Sequence, residues 1–119
     1  MRTAQMTGIL LVLATPISAL ADTHVKHGGE AAYMRSCVAC HGSDGAGTMP
    51  GIPDLGGTDT PLNKSDAVLL SSIMKGVESE NAPLPMPPKG GDDALSKAEA
   101  RQVIDYMRRA FGAQAKVNM

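Results

Sequence analysis

Cys37-Val38-Ala39-Cys40-His41 holds both cysteines of the chain, and everything else is best read outward from it. On a helical turn, positions three apart share a face. The two thiols then lie side by side, and the next residue, His41, follows them directly. Two such thiols can each form a thioether to one vinyl group of the same porphyrin, while the imidazole comes over the ring plane to bind iron. C-x-x-C-H is the attachment sequence for c-type haem. Covalent anchoring holds a haem even where a small domain offers only a shallow pocket.

Three plainer readings compete. A C-x-x-C pair also serves as a redox dithiol of the thioredoxin kind, but that reading expects a βαβ pattern, and none is visible. A closed zinc site needs four ligands, and neither a second C-x-x-C nor an H-x-x-x-H cluster is present. A disulfide between residues three apart closes too small a loop to stabilise much.

The composition asks for something at the centre. The chain has 119 residues, which predicts one domain, and it holds no Trp, one Phe and two Tyr. Thirteen Gly and eight Pro predict a loop-rich body. A domain this small needs a staple, a metal or a cofactor, and a haem is a large apolar object to pack around. The formal charge is −1, with no basic run for nucleic acid and no long acidic tail.

Residues 1–21 read as a cleaved signal peptide. Arg2 is the only charge before Asp22, Ile9-Leu10-Leu11-Val12-Leu13 is the most apolar stretch, and Ala19-Leu20-Ala21 is a small-x-small cleavage site. That stretch is shorter than the roughly 20 residues a membrane span requires. The expected mature domain is residues 22–119, soluble and without an integral membrane segment. Taking Arg2 from the eleven basic residues leaves ten against twelve acidic ones, a formal charge of −2.

Helical signals surround the motif. Residues 30–38 read as a short helix leading into it, with Gly29, Tyr33 and Cys37 spaced four apart. Ser65 can cap a helix over 66–75, with Val68, Leu69 and Ile73 among its apolar positions and Gly76 as its stop. Ser96-Lys97-Ala98-Glu99 has capping-box spacing. The helix it opens runs to about Phe111 with a stripe of Val103, Ile104, Met107 and Phe111. No segment shows strand alternation.

The run from Cys37 to Gly47, CVACHGSDGAG, resembles the haem-binding start of class I cytochromes c. Met86-Pro87-Pro88-Lys89-Gly90-Gly91, followed by a helix containing Ile104-Asp105-Tyr106-Met107, is similar to the bacterial cytochrome c-five group. The resemblance covers nearly all of residues 22–119. It implies an all-α class I cytochrome c fold, three to four short helices and Gly/Pro-rich loops around one covalent haem c. It also implies a crossing of the first and last helices, with Gly29, Tyr33 and Tyr106 as the matching residues. Pro53-Asp54-Leu55 resembles the family's P-x-L segment, which implies that the Pro53 carbonyl accepts a hydrogen bond from His41 Nδ1.

A histidine on one side leaves the other iron position to Met, to a second His, or to nothing. Met49, Met74, Met86, Met107 and Met119 follow the motif. Met74 and Met107 fall in helical patterns and suit the core. Met49 comes only eight residues after His41, too close to reach the opposite face. Met86 lies 45 residues after His41, in the stiff run Pro83-Leu84-Pro85-Met86-Pro87-Pro88, and both its loop and the resemblance select it. His24 and His27 are the competing imidazoles, in a polar setting that suits solvated side chains.

The expected iron ligands are thus His41 and Met86, with Cys37 and Cys40 as haem attachments. Two filled axial positions favour electron transfer over catalysis. The expectation is a periplasmic electron carrier, not an enzyme, that meets redox protein partners such as a dehydrogenase, oxidase or reductase, as a monomer or small subunit. A dedicated cytochrome subunit of a periplasmic dehydrogenase or oxidase complex is the alternative. A five-coordinate haem enzyme or gas sensor is a third reading, and it requires an open iron position. Lys64, Lys75 and Lys89 read as solvated lysines that can also flank a docking face.

Overall fold

A computed structural model of the chain describes residues 19–112, with side chains from residue 28 onward. Two of its helices start and stop where the caps dictate. Helix α3 is Asp66–Lys75, and Ser65 Oγ accepts from Val68 N at its start. Gly76 ends it at φ 78°, ψ 176°, with its N–H on the Ser72 carbonyl. Helix α4 is Lys97–Phe111. Its capping box is complete: Glu99 N donates to Ser96 Oγ at 3.1 Å and Ser96 N to Glu99 Oε2 at 2.9 Å. Those bonds satisfy donors that a helix start otherwise leaves orphaned. The expected stripe is the buried one, with Ala100 added between its members and the cap.

The region before the motif departs from expectation. In place of one helix over 30–38 there are two, α1 at Ala19–Ser36 and α2 at Val38–His41. Cys37 separates them with φ −125° and ψ −30°, off the helical φ by enough to turn the chain. Gly28 and Gly29 remain inside α1 although glycine disfavours helix interiors. The reason is close approach: a Cβ on Gly29 would collide with the Gln102 carbonyl of α4. The glycine lets the two helices cross in contact.

That crossing gathers every aromatic side chain of the sequence. Tyr33 lies 5.3 Å from Tyr106 and 5.4 Å from Phe111, and the latter two are 5.8 Å apart, ring centre to ring centre. These are tilted and edge-on pairs, the arrangement that ring quadrupoles favour. Leu55, Leu62, Leu69, Ile73, Leu95 and the buried face of α4 complete one core. Short 3-10 turns at Pro61–Asn63 and Pro88–Gly91 were not legible beforehand. Arg108 of α4 pairs with Asp66 and donates to the carbonyls of Leu62 and Lys64, tying α4 to the start of α3.

Among the described residues the only strand-type pairing is one isolated bridge, Val77 with Met86. No described helix is long and apolar enough to cross a membrane. Residues 1–18 of the expected leader lie outside the described residues, as do Met119 and the side chains of His24 and His27. Helix α1 begins at Ala19, within the last three residues of that leader.

Candidate functional site

Helix α2 carries the motif, and the loop after it folds back to satisfy its carbonyls. Gly42 N donates to the Val38 carbonyl at 2.8 Å, Gly47 N to His41 at 2.8 Å and Thr48 N to Cys40 at 2.9 Å. Thr48 Oγ1 adds bonds to the carbonyls of Ala39 and Cys40. From the helix crossing, Tyr33 Oη donates to the Gly42 carbonyl at 2.6 Å. Gly45, at φ 74°, sits against the Phe111 ring with no room for a Cβ. A four-residue helix is too short to hold itself, so these contacts fix it. The roles of Tyr33 Oη and Thr48 escaped sequence reading, because hydroxyl contacts across a loop leave no spacing signal.

His41 is half-buried, and burial pushes its pKa below the ordinary value, so the ring is neutral at pH 7 and keeps a free lone pair. Its Nδ1 is buried and has no hydrogen-bond partner. Such an orphan costs about 1–3 kcal/mol and calls for an explanation. The implied hydrogen bond from Nδ1 to the Pro53 carbonyl is therefore absent, a correction to the reading from resemblance. The 53–56 segment is organised by other bonds: Leu55 N donates to the Gly45 carbonyl at 2.8 Å, and Gly56 N to Asp54 Oδ1 at 2.7 Å.

Both thiols are free and half-buried. Burial, opposed by the Arg35 charge, pushes the Cys37 thiol up to about 11. A catalytic dithiol needs the reverse, a thiol lowered towards neutrality. No three described His, Cys, Asp or Glu side chains gather to hold a metal ion alone. What remains is two free thiols beside an unpaired imidazole that is neutral at pH 7. That donor set fits a haem: Cys37 and Cys40 could hold it by thioethers, and the imidazole of His41 could bind its iron.

Met86 is half-buried and packs on the same core as Cys37. Its backbone is held at both polar groups: Val77 N donates to the Met86 carbonyl and Met86 N to the Val77 carbonyl, each at 2.9 Å. Gly76 makes that pairing feasible, since a Cβ there would meet the Met86 carbonyl at 2.5 Å. Of the competing methionines, Met107 is buried in the core, Met74 packs against it, and Met49 is exposed. Lys64 and Lys75 are exposed, whereas Lys89 Nζ donates to the Asp93 carbonyl at 3.2 Å. A groove of about 660 Å³ between α3 and α4 includes Leu70, Met74 and Ile104 but none of Cys37, Cys40, His41 or Met86.

These features define a class I monohaem c-type cytochrome. Residues 25–107 match the family model described as cytochrome C oxidase, cbb3-type, subunit III, and the chain belongs to that family. It is 30% identical over 92 residues to the cytochrome c subunit of a quinone alcohol dehydrogenase from Gluconobacter oxydans, covering 73% of this chain and 19% of that one. It is 33% identical over 84 residues to a thiosulfate dehydrogenase from Allochromatium vinosum, covering 66% and 29%. The crystal structure of cytochrome cL from Methylophaga aminisulfidivorans aligns with a TM-score of 0.58 at 27% identity, over 76% of this chain and 55% of the other. The chain spans less than a third of the length of the curated relatives it matches. Its cofactor is covalently bound haem c, and electron transfer is the work of a domain of this family.

Proposed function

We propose that the chain is an exported, periplasmic carrier of single electrons, with haem attached at Cys37 and Cys40 and iron bound by His41 and Met86. Haem supplies one-electron ferric–ferrous chemistry, and the chain sets its conditions. The observation that carries the reading is the two-sided backbone pairing of Met86 with Val77. A thioether is a weak neutral ligand, so it competes well only when its loop is already ordered. The prolines on both sides and the bridge give that order. A Met86 ligand raises the potential relative to a second imidazole and closes the iron to external ligands. Cleavage after Ala21 would release residues 22–119 into the periplasm, where free electron donors and acceptors are met.

A second reading has support in the names of the relatives, several of which are cytochrome c subunits of dehydrogenases. In that reading the chain docks permanently on a dehydrogenase and does not diffuse. Co-purification of a dehydrogenase in constant ratio from the native cell decides for it, and recovery of the cytochrome alone decides for the free carrier.

The ligand set is tested by the visible spectrum of the ferric holoprotein at neutral pH. A weak far-red sulfur-to-iron band in the wild type, lost in Met86→Ala, is the expected result. A high-spin wild type without that band, whose reduced form binds carbon monoxide, rules out the Met86 ligand and redirects attention to ligand sensing or peroxide chemistry.

A further inference from the structure

We propose that Asp92 is a positioning residue for Met86: it fastens the downstream end of the methionine loop to the helix that delivers Cys37. The proposal rests on the His41/Met86 reading. The upstream end of the loop is pinned at Val77. Downstream, Pro88–Gly91 forms a 3-10 turn whose two central residues, Lys89 (φ 57°, ψ 21°) and Gly90 (φ 65°, ψ 19°), are both left-handed. Lys89 is the only non-glycine residue with positive φ among the described residues. A conformation of that kind persists only where its surroundings over-determine it.

Asp92 supplies the surroundings. Its Oδ2 accepts from Arg35 Nε at 2.8 Å and from Ser36 Oγ at 2.7 Å, and its Oδ1 accepts from Ala94 N at 3.0 Å. Arg35 and Ser36 are the last two residues of α1, immediately before Cys37. Gly90 presses on the Ser36 carbonyl so closely that a Cβ would not fit. Arg35 Nη2 also donates to Glu99 Oε1 at 3.2 Å, and Glu99 is the capping-box residue of α4. One guanidinium thus joins the end of α1, the end of the methionine loop and the start of α4.

The Asp92 side chain is one-fifth exposed and that of Arg35 about half. Exposed ion pairs contribute little to global stability. Their effect here is local. Opening of the loop frees the iron position that Met86 occupies, and an external ligand binds in proportion to the open fraction. A weaker clasp leaves the fold intact and raises that fraction.

The test is imidazole titration of the ferric holoprotein, followed by loss of the far-red band, with thermal unfolding by far-ultraviolet circular dichroism alongside. Asp92→Ala is expected to raise the apparent imidazole affinity about three- to tenfold. Arg35→Gln should act in the same direction, and the double variant should fall short of the sum of the two single effects, because the Arg35–Asp92 contact is lost in both. Asp92→Asn, which keeps hydrogen-bonding oxygen but loses charge, should fall between wild type and Asp92→Ala. The unfolding midpoint should hardly move. Unchanged imidazole affinity in Asp92→Ala and Arg35→Gln would overturn the proposal, and so would a rise that merely tracks a fall in the midpoint. If the wild type itself lacks the band, the Met86 reading fails and this proposal falls with it. If the band is present and only the variants fail to respond, the clasp alone is wrong.

Discussion

Around His41 the hydrogen bonds are local, and around Met86 they are not. Gly42 to Val38, Gly47 to His41, Thr48 to Cys40 and Tyr33 to Gly42 all join residues fewer than ten apart. Met86 has one local anchor, the bridge to Val77, but its loop ends on Arg35 and Ser36, 57 and 56 residues away from Asp92. The proximal side therefore forms from a short piece of chain, once Tyr33 and the loop are in place. The methionine side requires the finished fold, since α1 and α4 must already meet. If Cys37 and Cys40 hold the haem by thioethers and Met86 by its sulfur, the covalent side would need less of the finished fold than the methionine side. This asymmetry predicts that the two sides fail separately.

The largest effect removes the frame both sides share. In Cys37→Ala/Cys40→Ala no haem should survive a denaturing gel, whereas wild type retains it, as judged by haem-dependent peroxidase staining. Haem retained by the double variant would break the assignment of the attachment sites.

The next effect falls on the methionine side alone. Gly76 occupies φ 78°, ψ 176°, a region essentially reserved for glycine. Gly76→Ala should cost about 1–3 kcal/mol for its backbone alone, and its Cβ meets Met86 and Pro88 besides. In a denaturant titration the far-red band should vanish well before the haem-attachment side unfolds, which the Soret band follows. Simultaneous loss of both signals would mean that the sides are not separable.

The smallest effect falls on the proximal side. Tyr33→Phe removes the 2.6 Å bond to the Gly42 carbonyl and should cost about 1 kcal/mol in chemical denaturation. A pH series sharpens it. Burial, chiefly, raises the Tyr33 pKa far above its ordinary value of 10.0. The folded state thus holds the hydroxyl proton more tightly than the unfolded chain does. Its contribution is fully present below about pH 10 and is lost as pH rises beyond that. Wild type should lose stability above pH 10 more steeply than Tyr33→Phe, which has no hydroxyl to ionise there.

The same asymmetry governs what was readable in advance. Helix α3, helix α4 and their caps depend on neighbours three or four residues away, so Ser65, Gly76, Ser96 and Glu99 announced them. The motif placed Cys37, Cys40 and His41 together for the same reason. Helix α1 starts well before residue 30 and stops at Ser36, because contact of Gly29 with Gln102 of α4 makes glycine fit inside a helix and the dihedrals of Cys37 end it, and neither leaves a periodic signal. The Nδ1 bond to Pro53 was inferred from resemblance, and turn bonds at Asp54 and Leu55 organise that segment instead.

By itself the sequence determined the C-x-x-C-H spacing, the helical class and the stiffness of the Met86 loop, because each follows from spacing, capping or the fixed φ of proline. Only the tertiary structure decided that the three aromatic rings share one crossing, that Met86 pairs with Val77, and that Asp92 reaches back to Arg35. Those contacts join residues whose separation along the chain carries no periodic signal, and they exist only once the helices have packed.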